Sequence, residues 1–329
     1  MRDPTKMFNN GTALFLYNET RKWFALGSGF LVPVLLIINA PFGRFTPKNQ
    51  SSFLLVDGIK SWIVMELVSP AMFIYNYYTS PLTMNRPPLF PPGSSLLYPD
   101  PVSILAVCFL AHYVNRALVS PLRTPSRSKT HLIVPLAGIV FNVLNGSLLG
   151  AYFSSPFTRM YHLSGIRPQF YIGLAIWALG LVGNIYHDEI LMNIRRKAQL
   201  KGKGRDDGAK GEHYSIPTGG LYRWVSYPNY LCEWIEWLGF AIAAGPFPFD
   251  LSHINLATLA ASLLNVQTYK DLINTPASNF APNLSPPWIF LVSEVLLMLP
   301  RAYRGHQWYH TKFGDSYPKE RKAAIPFIL

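Results

Sequence analysis

Seven long apolar stretches, at residues 23–40, 53–78, 102–119, 132–153, 170–186, 230–244 and 287–300, leave this chain few folds to choose from. A helix needs about 20 apolar residues to cross the hydrocarbon core of a bilayer, where only helices and closed barrels satisfy their backbone. The stretches predict an all-α integral membrane bundle of seven transmembrane helices. An eighth run, 254–266, is too short to span and reads as a re-entrant or surface helix. The seventh stretch reaches full length only if its helix continues into residues 301–309. Charged residues make up 14% of the chain, against about 25% in soluble domains, and the apolar stretches account for that deficit.

The basic residues orient the bundle. With the N-terminus lumenal and the C-terminus cytosolic, 20 Lys and Arg fall on the cytosolic side and 8 on the other, as the positive-inside rule requires. Four basic residues near the N-terminus are the local exception. The net charge of +12 therefore reads as topology, and no nucleic-acid partner is expected. No signal peptide is expected either, because the first 20 residues are polar. Residues 1–22 read as an N-terminal tail and 23–329 as a single membrane domain without internal repeats. Residues 81–101 form a Pro-rich loop, and 197–212 a charged, Gly-rich insert. Cys108 and Cys232 make neither a disulfide framework nor a metal site. No Cys/His cluster has zinc spacing, and no Walker or Gly-x-Gly-x-x-Gly motif is present. The Asn-x-Ser/Thr matches, Asn10 and Asn18 among them, are weak grounds for glycosylation.

Polar groups inside the apolar stretches carry the functional signal, since placing them there is costly. Glu66 lies near the middle of the second stretch, and Tyr113 lies in the third beside His112, Asn115 and Arg116. Asn184, Asp188 and Arg195 fall within roughly 40° of one another on a helix. They suit a polar, phosphorylated ligand, and equally the capping and snorkelling of a helix end. Asn229, Glu233 and Glu236 share a face at offsets of four and seven, which points to a water-filled or ligand-filled cavity. Residues 217–220, Pro-Thr-Gly-Gly, form a turn. The tail from His306 to Lys319 mixes aromatic and basic residues, as an interfacial helix does.

Taken together, several motifs resemble the steroid 5α-reductase family of membrane enzymes. They are Gly183-Asn184-Ile185 with Asp188 and Arg195; Ile216-Pro217-x-Gly219-Gly220-Leu221; Val225-Ser226 with Asn229 and Glu233-x-x-Glu236-Trp237; His306-x-Trp308-Tyr309-x-x-Lys312-Phe313; and the ending Tyr317-Pro318-Lys319 to Ile325-Pro326-Phe327. The likeness covers residues 100–329 and is thin before them. It implies a seven-helix bundle in the endoplasmic reticulum membrane that holds NADPH in a cavity open to the cytosol and takes a lipid-soluble steroid from the bilayer. The implied reaction reduces the C4–C5 double bond of a 3-oxo-Δ4-steroid, with hydride added at C5 and a proton at C4. By resemblance Glu66 and Tyr113 are catalytic, polarising the C3 carbonyl as a hydrogen-bonded pair. Asn184, Asp188, Arg195, Tyr214, Asn229, Glu233, His306 and Tyr309 match cofactor-lining positions, and Arg195 suits a phosphate.

The chain departs from that pattern in three places. Met65 stands where members with this activity carry Gln before the catalytic Glu, and a thioether cannot donate a hydrogen bond. Ser215 stands where Arg is often found, and the segment 249–286 is longer than in compact members. Met65 keeps a trans-2-enoyl-CoA or polyprenol-type substrate open as the alternative. A prenylcysteine-type methyltransferase shares a related helical layout, but the Asn184, Asp188, Arg195, Asn229 and Glu233 set argues against it. A seven-helix receptor would not need polar groups converging from four stretches and the tail.

Overall fold

The computed structural model describes residues 4–46, 52–83, 100–163, 167–202, 214–248 and 255–329. Most of the 81–101 loop, the 203–212 part of the charged insert and the first residues of the 249–286 segment lie outside the described residues. Ten helices are found among those described. Helix α1 runs Pro4–Ile37, so the region expected as a tail is largely helical. Asp57 caps α2, Gly58–Thr79, by accepting from the Ile59 and Lys60 amides at 2.9 and 2.8 Å. Asp100 caps α3, Pro101–Arg123, by accepting from the Val102 and Ser103 amides. The short side chain of a capping Asp satisfies amides that have no partner within the helix.

Helix α4 spans Ile133–Ser154, and a short α5, Pro156–Leu163, follows it. Helix α6 covers Pro168–Gly202 and α7 Pro228–Ala244. The run read as a re-entrant or surface helix is α8, Leu256–Leu264, and a further helix, α9 at Val266–Asn274, follows it. Asn265 separates the two, because its side chain accepts from the Gln267 amide and caps α9. Helix α10, Pro286–Phe313, continues through Pro300 and so reaches the length that residues 287–300 lack. The only sheet among the described residues pairs β1, Leu55–Val56, with β2, Thr130–His131, antiparallel at the entries to α2 and α4.

Each of the seven apolar stretches falls largely on one of α1, α2, α3, α4, α6, α7 and α10. Four helical segments are long and apolar enough to cross a membrane: Gly11–Ile37, Pro101–Arg123, Ile133–Ser154 and Pro168–Leu200. The helices pack chiefly as pairs, α6 on α7, α2 on α4 and α1 on α10. Small residues permit the close approach, as is usual between helices in lipid. A side chain at Gly180 would overlap the Glu236 backbone, and one at Gly146 the Ser69 carbonyl. Between the pairs lies an aromatic core of Phe73, Phe109, Tyr113, Phe153, Trp237, Phe240 and Phe290. Many apolar side chains face outward instead, among them Val107, Val140, Leu179 and Val182, which suits a surface bathed in lipid.

Two buried cations explain how the long 249–286 segment is held. Arg21 donates to the carbonyls of Ala281 and Leu284 at 2.8 and 3.0 Å. Lys22 donates to those of Ile273 and Thr275 at 2.6 and 2.9 Å. Both side chains are buried in the protein, and the carbonyl oxygens compensate their lost hydration.

Candidate active site

The bundle encloses a cavity of about 1450 Å³ lined by α1, α2, α3, α4, α6, α7 and α10. Single small-molecule sites usually measure about 300–1,000 Å³, so this one has room for two ligands. Its lining is chemically mixed. Leu31, Leu35, Val134, Phe141, Leu297 and Met298 supply hydrocarbon, while Arg116, Arg127, Asp188, Arg195 and Glu233 supply charge.

Arg116 ties the charged wall together. Helix α3 carries a π-helical turn, Val114–Val119, immediately after Tyr113; such turns widen a helix and often mark functional sites. From that turn the Arg116 Nε lies 3.5 Å from Glu66 Oε1 on α2. Its Nη1 donates to Glu233 Oε2 on α7 at 3.2 Å. The Asn184 amide group donates to the same Glu233 oxygen at 3.3 Å and to the Asn229 carbonyl at 3.0 Å. Asn229 in turn donates to Asp188 Oδ1 at 3.0 Å. A continuous polar chain therefore runs from Glu66 to Asp188 across four helices. Behind it, His112 Nδ1 and Glu236 Oε1 lie 2.8 Å apart, fully inside the bundle.

Tyr113 faces the same cavity as Glu66. Its hydroxyl accepts from Asn145 Nδ2 at 3.3 Å, and no direct hydrogen bond to Glu66 occurs. The Asn142 side chain donates to the Met65 carbonyl at 2.8 Å and so fixes α2 against α4 beside Glu66. Met65 itself lines the cavity with its thioether seated over Gly138, where any side chain would overlap the sulfur.

A second set of cations lines the cavity. Arg127 lies 4.1 Å over the Trp62 ring, and its Nη1 is buried without a hydrogen-bond partner. Burial, then the like charges of Arg195 and Arg116, pull its guanidinium down to about 10. Arg44 stacks over Trp308 and Tyr309 at 4.2 and 4.6 Å and also leaves a buried Nη1 unpaired. Arg44, Arg127 and Arg195 all line the cavity, and the first two each keep a guanidinium nitrogen unpaired; such a set suits a phosphorylated ligand, since guanidinium binds phosphate in a matched geometry.

Of the residues singled out in the sequence, Glu66, Tyr113, Asp188, Arg195, Tyr214, Asn229, Glu233 and Tyr309 line the cavity. Asn184 and His306 do not. Asn184 is buried behind the wall and positions Asn229 and Glu233. His306 Nδ1 lies 2.6 Å from the Ser226 hydroxyl, which also meets the Tyr317 hydroxyl at 2.7 Å. Ser226 itself reaches the wall, so His306 stands one residue away from it. Arg44, Trp62, Arg127 and Glu294 reach the cavity without having been assigned a role there. The first three come from stretches that read only as loop charge or apolar span. Glu294 is a carboxylate within the seventh apolar stretch.

A helical membrane bundle with an acidic and aromatic centre and several arginines in its cavity lining defines the class. Comparison with known proteins narrows it. A family profile described as 3-oxo-5-alpha-steroid 4-dehydrogenase matches residues 128–270 and 280–329. An uncharacterised protein of Schizosaccharomyces pombe is 37% identical over 95% of this chain and 98% of its own. The 3-oxo-5-alpha-steroid 4-dehydrogenase 1 of Rattus norvegicus is 31% identical over 92% of each chain. The steroid 5-alpha-reductase DET2 of Solanum lycopersicum is 30% identical over 70% of this chain and 71% of its own. The chain belongs to the 3-oxo-5-alpha-steroid 4-dehydrogenase family, and it is an oxidoreductase.

Proposed function

We propose that this protein is an NADPH-dependent reductase that saturates the C4–C5 double bond of a 3-oxo-Δ4-steroid, or of a similar conjugated lipid enone, in the endoplasmic reticulum membrane. In this reading the bundle crosses the bilayer seven times, with the N-terminus lumenal and the basic loops on the cytosolic side, where the cofactor is available. The observation that supports it is one large cavity whose lining holds both hydrocarbon side chains and several arginines, together with Glu66 and Tyr113. Bound NADPH supplies the hydride. Arg127, Arg195 and Arg44 would hold its phosphates, Asp188 and Asn229 would orient its polar groups, and Tyr214 and Tyr309 would add aromatic contact.

Negative charge builds on the substrate carbonyl oxygen as hydride reaches the β carbon, so a donor aimed at that oxygen lowers the barrier. Tyr113 is that donor. Asn145 donates to its hydroxyl, which also lies within hydrogen-bond reach of the Ser69 side chain, and the substrate carbonyl takes the phenol proton in competition with Ser69. Glu66, held by Arg116, completes the polar end of the substrate site. C5 gains hydride, the resulting enolate takes a proton at C4 from water, and the carbonyl is regenerated. The aromatic core beneath Tyr113 excludes water, which strengthens the hydrogen bond in the transition state.

The test is NADPH consumption by purified protein offered a 3-oxo-Δ4-steroid, a trans-2-enoyl-CoA and a polyprenal, with product analysis. Saturation of the steroid double bond is the expected result. NADPH oxidation only with one of the other two substrates would refute the steroid assignment. Binding of S-adenosylmethionine without NADPH would refute the reductase.

A further inference from the structure

Glu294 is a cavity carboxylate that the proposed reaction does not use. It sits on α10 in a stripe with Phe290, Leu297 and Met298, all lining the cavity. The other acidic residues of the lining are each paired: Glu66 with Arg116, Asp188 with Asn229, and Glu233 with Arg116 and Asn184. Glu294 makes no hydrogen bond or ion pair to any described residue. An unpaired carboxyl between apolar neighbours inside a membrane protein is costly and marks a site of ligand contact. Its neighbours on the stripe present hydrocarbon to the cavity, while Glu66, Tyr113, Arg116 and Glu233 lie within electrostatic reach, so the ligand it meets has a hydrocarbon body and a polar group at this carboxyl.

We propose that Glu294 is a specificity-determining residue that hydrogen-bonds a hydroxyl group carried on the hydrocarbon body of the lipid substrate. A carboxyl accepts from a hydroxyl whether or not it is ionised, and a neutral hydroxylipid can enter through the bilayer. A site that binds a hydroxyl strongly disfavours the analogue lacking it, because its own polar group is then buried unpaired. The inference rests on the reductase reading for the identity of the substrate, though not for the existence of the contact.

The experiment uses the full chain in nanodiscs with NADPH. The ligands are 3-oxo-Δ4-steroids with no hydroxyl, with one hydroxyl moved from position to position around the ring system, and with an amine in its place. Affinity is read from tryptophan quenching, and kcat and KM from turnover. Wild-type protein should prefer at least one hydroxylated ligand by roughly tenfold or more. Glu294→Leu should erase that preference through KM, leaving kcat on the unhydroxylated ligand and NADPH affinity unchanged. Glu294→Gln should keep part of the preference. A preference that survives in Glu294→Leu, or an equal fall in kcat for every ligand, overturns the proposal. Stronger preference for the amine, lost in Glu294→Leu, overturns the hydroxyl in favour of a cation. Binding without turnover refutes the reductase while still scoring Glu294 by affinity, and failure of every ligand to bind refutes both.

Discussion

Replacing Arg116 with Gln tests the polar chain at its centre. The guanidinium meets Glu66 at 3.5 Å and Glu233 at 3.2 Å, and its side chain is only 24% exposed. It also lies 5.0 Å over the Trp62 ring. Removing one partner of a buried ion pair costs about 3–5 kcal/mol, because the other charge is left uncompensated. The lost stacking adds about 0.5–1 kcal/mol. Two carboxylates share this one cation, and partial solvent access on the Arg116 side tempers the penalty, so a loss of about 3–5 kcal/mol is expected for Arg116→Gln. Thermal unfolding in detergent should register it as a fall in Tm on the order of 10 °C. A double-mutant cycle isolates the cause. Glu233→Gln removes an acid that Arg116→Gln has stranded, so the double variant should be more stable than the two single losses summed, by at least about 1 kcal/mol. If the losses add to within about 0.5 kcal/mol, Arg116 and Glu233 are not coupled, and the chain from Glu66 to Asp188 is not a unit.

Three further outcomes are expected. Tyr113→Phe should lower kcat by about 10²–10³, the usual cost of a lost oxyanion donor, while the NADPH Kd stays near the wild-type value; stopped-flow turnover and equilibrium binding measure the two. Asp188→Ala removes the acceptor that orients Asn229 and should weaken NADPH by roughly tenfold, as titration of intrinsic fluorescence would report. Gly180→Ala drives a methyl group into the Glu236 backbone and should cost about 1–3 kcal/mol through overpacking, whereas a helix surface would gain from the same change.

The helical architecture was legible because membrane spans announce themselves by length and hydrophobicity alone. Fine placement was not. Arg116 could be read only as a neighbour of Tyr113, because the π turn that swings it towards both Glu66 and Glu233 depends on packing and not on residue spacing. Arg127 and Arg44 counted as cytosolic charge; their burial over Trp62 and Trp308 arises from contacts across more than 60 and 260 positions of sequence. His306 shares a helix with Tyr309, and the motif carries both, but only Tyr309 reaches the lining. The difference is rotational, and it is set by Ser226 and Tyr317, which hold the imidazole outside the cavity. Asn184 is similar. Its spacing with Asp188 and Arg195 suggests a common ligand, while its amide is consumed by α7. Helical periodicity gives a shared face, and it cannot say which member of that face stops at a neighbouring helix.

The contact between Met65 and Gly138 couples these two positions. With Met65 in its present rotamer a β-carbon at position 138 would overlap the sulfur, but the thioether ends an unbranched, adaptable side chain, so Gly138→Ala is accommodated by moving it. That movement carries the thioether across the lining it shares with Glu66. A change at 138 therefore reshapes this corner of the cavity through Met65, without any replacement at position 65 itself.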